Sequence, residues 1–305
     1  MEKISGFSLV RNGIQFDYPF LESWRSLLPL VDELVINVGV SDDQTLQVAE
    51  NFVRDEGQGK VMLFQTRWPL DDPEKKRSGL ILSEQTNLAL KRCTHDWCFY
   101  LQADEVLHEE DYGKIRSDIL GAQKLPEIEA IVFQYQHFYG SFNVIQKTRS
   151  SYRREMRLIK KTSGAKSVGD AQSFLKKDGV KLNALLSEAR IFHYGWVRTP
   201  EAMREKTEFM DQLYHGDASP DAALPQTGDN FRYKRFWGLY PYLGSHPLVM
   251  KKRIQEKGWN WELGRSSFTF HLSDVKKIIL DSWEKLTGHR PFEFKNYRIR
   301  GKVNG

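Results

Sequence analysis

The sequence predicts an α/β fold in which a mostly parallel sheet is flanked by helices and followed by an irregular, partly helical C-terminal extension. Three observations predict it. Short apolar runs alternate with amphipathic stretches through the first 120 residues, the rhythm of β-α units. The run WCFYL at 97–101 passes directly into the polar QADE at 102–105, as a buried strand does at the ligand-bearing edge of an open α/β sheet. Beyond residue 130 the alternation gives way to strand-like runs and a less regular remainder.

Ile4 to Val10 reads as the first strand. Asp17 is placed to cap a helix that Pro19 enters, with Phe20, Trp24, Leu27, Leu28 and Val31 at helical spacing. Leu34 to Val38 is the second strand, and Ser41 or Asp42 opens a helix through Leu46, Ala49 and Phe52 that Gly57 stops. Val61 to Phe64 gives a third strand, DDPEKKRSG at 71–79 an exposed loop, and Ile81 to Leu90 a helix. Trp97 to Leu101 is the fourth strand, and Glu109 to Leu120 a helix with acids in its first turn. Ala130 to Phe138 and Ser151 to Lys161 are strands. A late helix opens at Ser273 or Asp274, carries Val275, Ile278, Ile279, Trp283 and Leu286 on one face, and closes at Gly288.

With 305 residues, 40% of them hydrophobic and 28% charged, the chain can bury a sizeable core. Two cysteines, Cys93 and Cys98, exclude a disulfide framework and a four-sulfur zinc site, and point to the cytoplasm. The first apolar run lacks the features of a signal peptide, and none approaches the roughly 18 residues that span a bilayer. Residues 1–145 hold 14 Lys and Arg against 23 Asp and Glu, a balance of −9. Residues 146–305 hold 31 against 17, a balance of +14. An acidic front half suits a cation, and a basic, aromatic-rich rear half suits a phosphate-bearing partner or an anionic surface such as the inner face of a membrane.

The strongest chemical signal is WCFYLQADEVL, where Asp104 and Glu105 offer hard oxygen ligands for Mg²⁺ or Mn²⁺ at the end of a buried strand. On spacing alone, such an acidic pair more commonly begins a surface turn. His193 in FHYGW and His246 in GSHPLVM are further ligand candidates, although a histidine among aromatics is more often a satisfied core residue. Arg153, Arg154 and Arg157 lie on RREMRLIKK, where strand alternation divides them between two faces and either could meet a phosphate or water.

Taken together, FSLVRNG, VGVSDDQT, WCFYLQADE and RIFHYGWVR resemble, in order and spacing, the family 2 glycosyltransferases of the GT-A fold. The resemblance covers about residues 4–200. It implies a nucleotide-sugar-binding and catalytic domain over 1–200 and an extension over 201–305 that shapes the acceptor site. It implies transfer of a sugar from a nucleoside-diphosphate donor to a hydroxyl of a sugar, polysaccharide or lipid-linked acceptor, with inversion and with Mn²⁺ or Mg²⁺ as cofactor. Asp104 inherits the metal-binding aspartate of the family's DxD motif, and His193 the late histidine that completes the metal sphere. Val10, Arg11 and Asn12 stand in the loop that packs on nucleoside and diphosphate, with Gln102, Ala103 and Arg157 further contacts. Gln102 replaces the motif's first acid, and its amide can hydrogen-bond ribose hydroxyls. Val38 stands where the family has its base-holding acid, a role that Asn37 or Asp43 can take. VGDAQSF makes Asp170 the base that deprotonates the acceptor hydroxyl, ahead of Glu188 and Asp178. Trp68 and the loop after the third strand could form a flap over the site.

Two other classes remain open. The basic rear half could bind an anionic polymer, although no RRM, KH or zinc-finger signature points to nucleic acid. A GT-A-like protein that binds nucleotide sugars without transferring them would explain Gln102 and Val38. Neither GxxxxGK[ST] nor HExxH occurs, which argues against P-loop NTPases and zincins.

Overall fold

The computed structural model describes residues 3–76, 78–215, 231–265, 268, 272–293 and 295–302; the side chains of His215 and Ser273 lie outside the described set. The front of the chain alternates as predicted: β1 (Ile4–Val10), α1 (Phe20–Leu27), β2 (Glu33–Gly39), α2 (Thr45–Glu56), β3 (Val61–Thr66), α3 (Leu80–Arg92) and β4 (Trp97–Tyr100). A short β5 (Glu105–Leu107) and α4 (Tyr112–Gln123) follow. Next come β6 (Ala130–Tyr139), β7 (Ser141–Gln146), β8 (Arg154–Lys160), β9 (Lys166–Val168), β10 (Ser173–Leu175) and β11 (Leu182–Trp196). The remainder holds α5 (Pro200–His215), β12 (Leu239–Pro241), α6 (Lys251–Gln255), α7 (Leu272–Thr287) and β13 (Tyr297–Lys302).

Among the described residues eleven strands share one sheet, in the order β12-β7-β6-β8-β4-β1-β2-β3, with β11 pairing β6, β5 and β13. The front is parallel: β1 lies between β2 and β4, and β3 extends the run. All seven residues of β1 are buried, as befits a strand covered by helices on both faces. Gly6 on β1 lets the α1 side approach, since a Cβ there would lie 2.9 Å from Leu27 Cδ2. Beyond β4 the sheet turns antiparallel through β8, β6 and β7. Strand β11, which local pattern did not reveal, runs parallel to both β6 and β13 and antiparallel to β5. Strands from both the 1–200 and 201–305 stretches therefore belong to the same sheet. The arrangement is an α/β sheet, parallel in front and antiparallel behind, flanked by helices.

Two helix starts differ from expectation. Asp17 is not a cap; it takes φ +48° in a turn, and α1 begins only after Pro19. At α2 the residue before the helix is Gln44 rather than Ser41 or Asp42, and one position earlier Asp43 Oδ1 accepts the Thr45 amide at 2.9 Å. The late helix opens at Leu272, and of its two suggested openers Ser273 lies outside the described side chains. No helix among the described residues is long and apolar enough to cross a membrane.

Candidate active site

A cavity of about 490 Å³ opens at the carboxyl ends of β1 and β4, walled also by the end of β11, the 170–172 turn and one face of α5. Val10, Arg11, Gln102, Ala103, Asp104, Asp170 and His193 all line it, so the topology gathers most of the expected residues from four separate segments. Loop 71–76 does not line it; Trp68 does, and α5 closes the wall with Met203, Lys206, Phe209 and Tyr214. The amides of Ser78 and Gly79 donate to the carbonyls of Tyr214 and Leu213, which ties the start of α3 to the end of α5.

Strand register builds the centre. Glu105 on β5 pairs with His193 on β11, and His193 pairs with His137 on β6. The Tyr194 amide donates to the Asp104 carbonyl at 2.8 Å, which sets the Asp104 carboxylate beside the His193 ring. Asp104 Oδ1 lies 3.7 Å from His193 Nε2. Its Oδ2 lies 3.3 Å from Lys206 Nζ and 3.9 Å from Arg198 Nη2. Burial pushes the Asp104 carboxyl upward, but the charges around it, Lys206 foremost, outweigh that and hold it at about 2. Burial and the Arg198 charge lower the Lys206 ammonium to about 8, against the pull of Asp104.

The imidazoles have defined roles. His137 Nε2 lies 2.6 Å from the Tyr152 carbonyl, which only accepts, so that nitrogen carries the hydrogen. Burial holds His137 at about 3, so it is neutral at pH 7 and its Nδ1 is an acceptor. His193 Nδ1, 3.0 Å away, therefore donates to it. Burial also lowers His193, so its Nε2 presents a lone pair to Asp104 Oδ1. Two acceptors facing each other across 3.7 Å form a corner suited to a cation. Among the described residues no cluster of three His, Cys, Asp or Glu could hold a metal. An ion held at this corner would have only these two side chains as ligands and would need its other positions filled by phosphate and water.

Two buried groups keep donor atoms without a hydrogen-bond acceptor. Arg198 is fully buried, donates from Nη1 to the Phe16 carbonyl at 2.7 Å, and leaves Nε and Nη2 without a hydrogen-bond partner among the described residues. Trp68 Nε1 is likewise buried without one. Across the cavity, Asp170 Oδ2 accepts from Tyr214 Oη at 2.8 Å and Oδ1 accepts the Gln172 amide at 3.2 Å. Gln102 Nε2 reaches the Ala171 carbonyl at 3.4 Å, and Ala171 is held at φ +63°.

Several expected site residues do other work. Arg157 does not reach the cavity; fully buried, it grips Glu105 with Nε–Oε2 at 2.8 Å and Nη2–Oε1 at 2.7 Å. Glu105 also accepts from Tyr135 Oη at 2.7 Å and the Gln102 amide at 3.1 Å, so it anchors the QADE turn and has no oxygen to spare for a metal. Asn12 and Asp43 lie outside the cavity wall and staple the first two loops together. Asn12 exchanges hydrogen bonds with Asp42, and Asp43 Oδ2 accepts the amides of Ile14 and Gln15. His246 accepts from Tyr194 Oη and donates to the Phe142 carbonyl, away from the cavity. Arg153 pairs with Glu284 and Glu293, and Arg154 with Gln134. Glu188 faces Lys114, and Asp178 occupies a turn at φ +60°.

Sequence reasoning missed Lys206, Arg198, His137 and Tyr152. Met203, Phe209, Met210 and Leu213 mark α5 at helical spacing and could have placed Lys206 on a facing turn.

No known family model matches the chain, and no curated protein matches it in sequence. Solved structures similar to it include S. aureus TarS residues 1–349, with 14% identity, 69% of this chain and 65% of that chain covered, and a TM-score of 0.38. The same fragment in complex with UDP-GlcNAc gives 14% identity, 69% and 66% coverage and a TM-score of 0.39. A further TarS crystal structure gives 16% identity, 68% and 39% coverage and a TM-score of 0.37. The chain thus spans less than two thirds of the length of the structures it matches.

Proposed function

We propose that this protein is a glycosyltransferase that moves a sugar from a nucleoside-diphosphate donor to a hydroxyl acceptor, with inversion. The observation that carries the reading is Asp104, facing the His193 lone pair in a cavity that also holds Lys206 and a carboxylate, Asp170. Asp104 and His193 would hold Mn²⁺ or Mg²⁺, which supplies Lewis-acid neutralisation of a diphosphate leaving group. Lys206 and, behind Asp104, Arg198 add positive charge from the protein itself, in a setting where burial strengthens each interaction. Val10, Arg11, Gln102 and Ala103 would contact the nucleotide, with Gln102 meeting ribose hydroxyls.

Asp170 is the proposed base. Tyr214 and the Gln172 amide orient its carboxylate toward the cavity, so that it can take the acceptor proton as the hydroxyl attacks the anomeric carbon. The acceptor is a sugar, polysaccharide or lipid-linked saccharide. The test combines thermal shift with UDP, UDP-GlcNAc, GDP, CMP and dTDP, with and without Mn²⁺, and turnover of the Asp170→Asn variant. One nucleotide should raise the melting point, and Asp170→Asn should abolish transfer while retaining that shift. No shift with any nucleotide, or unchanged turnover in the variant, overturns the reading. A shift without transfer or hydrolysis would assign a nucleotide-sugar-binding role instead.

A further inference from the structure

A second cavity, of about 750 Å³, is walled by residues of β6, β7, β11, β12 and α7. Helix α7 meets it with its polar side: Glu284 lies 2.9 Å from Arg153 and 3.6 Å from Arg290, and Asp281 accepts from Trp237 Nε1 at 3.1 Å. The apolar Ile279, Trp283 and Leu286 of the same helix stay exposed. In size the cavity falls within the range of ligand pockets, about 300–1,000 Å³, but such pockets are lined mostly by apolar side chains. Here no described lining residue is aliphatic, and the rings are those of tyrosines and a histidine. An acyl chain or another apolar ligand would find no apolar wall to leave water for.

The groups left without partners select the ligand. The guanidiniums are matched: Arg153 and Arg290 share Glu284, and Arg190 lies 2.9 Å from Asp111. Neutral groups are not. The Gln136 side-chain amide, Gln146 Oε1 and the phenol oxygens of Tyr152 and Tyr240 have no hydrogen-bond partner among the described residues. Amides and phenols both donate and accept. A ligand dense in hydroxyls answers both demands, whereas a bare phosphate only accepts. Two lining cations, Lys147 and Lys285, have no carboxylate partner among the described residues, and Lys285 Nζ stands 5.7 Å from the centre of the Tyr240 ring. We propose that this cavity binds a saccharide bearing a carboxylate, with its hydroxyls on Gln136, Gln146, Tyr152 and Tyr240 and its carboxylate on the two lysines. Asp104, Asp170 and His193 do not line it, so the proposal is independent of the transfer reading.

The test is calorimetry of the whole chain with hexagalacturonate, with maltohexaose as a neutral sugar and with inorganic tripolyphosphate as an anion that lacks sugar hydroxyls. Hexagalacturonate should bind, about tenfold or more tighter than maltohexaose, through charge-assisted contacts that added salt weakens. Gln136→Ala with Gln146→Ala removes two sets of hydrogen bonds and should weaken binding about tenfold, while circular dichroism and melting stay unchanged. Tyr240→Phe, a milder change, should weaken it less. Lys147→Ala with Lys285→Ala should bring hexagalacturonate down to the level of maltohexaose. Absence of binding by either sugar, or a glutamine double variant that binds as well as wild type, overturns the proposal. So does tripolyphosphate that binds as tightly as hexagalacturonate, which would make the cavity a site for anions alone.

Discussion

His137 Nδ1 lies 3.0 Å from His193 Nδ1, and because the Tyr152 carbonyl takes the one His137 N–H hydrogen, at Nε2, this contact fixes which His193 nitrogen faces Asp104. The segment on either side of Tyr152 is held from outside the cavity. Arg290 donates to the neighbouring carbonyls of Thr148 and Ser151, and Arg153 pairs with Glu284 and Glu293. The C-terminal segment thus bears on the orientation of an imidazole in the cavity.

Replacing His137 by Phe should leave the His193 Nδ1 hydrogen without an acceptor and free the ring to turn. Loss of such an outer partner typically lowers metal affinity about 10–100-fold. Titration of Mn²⁺ in the presence of the stabilising nucleotide, followed by electron paramagnetic resonance, measures it, and His137→Gln should restore part of the affinity through its side-chain oxygen. Equal Mn²⁺ affinity in His137→Phe and wild type would remove His137 from this role.

Gly195 offers a steric test of the same corner. A Cβ at this position would lie 2.6 Å from His193 Cε1 and Nε2 and 3.1 Å from Asp104 Oδ2. Gly195→Ala should therefore displace the His193 ring and weaken nucleotide and Mn²⁺ binding about tenfold, a change of about 1.4 kcal/mol, while the melting point moves little. Calorimetry that finds wild-type affinities would show that the corner tolerates the methyl group.

The Glu105–Arg157 pair is fully buried. Arg157→Met leaves the Glu105 carboxylate without its counter-charge, which should cost about 3–5 kcal/mol in urea unfolding. Adding Glu105→Leu removes the stranded charge and should recover part of the loss. A single-variant cost below about 1 kcal/mol, the range of exposed pairs, would contradict the burial.

Stability should fall on mild acidification. Burial lowers His137 to about 3 and His246 to about 4 in the folded protein, against about 6.5 in the unfolded chain. Below pH 6.5 the unfolded chain binds more protons, so each histidine costs stability progressively as pH drops from there to its folded value. Above pH 6.5 neither contributes a slope. Urea midpoints measured in EDTA at pH 7.5 and pH 5 should differ, and His246→Gln should shrink the difference; equal wild-type midpoints would refute it.

The parallel front of the sheet was legible because its signals are local: apolar runs for β1 to β4, turn residues between them, and a polar cluster at the end of a buried strand. Asp104, Asp170 and His193 could be named because each sits in a short recognisable string. Partner choice was not legible. Nothing near RREMRLIKK indicates that Arg157 seeks Glu105, 52 positions earlier, and His137 acquires its role only through the pairing of β6 with β11. Strand β11 escaped notice because it interleaves buried apolar residues with Glu188 and Arg190, which face other segments. The α7 periodicity was correctly read as helical, but spacing cannot tell which side a helix turns outward.

One consequence concerns synthesis. Leu182 to Leu186 on β11 pair with Tyr297 to Lys302 on β13, so that flank of the sheet waits for residues made more than a hundred codons later. A ribosome-bound nascent chain exposes an unsatisfied strand margin throughout that interval. Slow translation of the intervening stretch should accordingly favour aggregation, and a chaperone that shields bare β-edges should raise the yield.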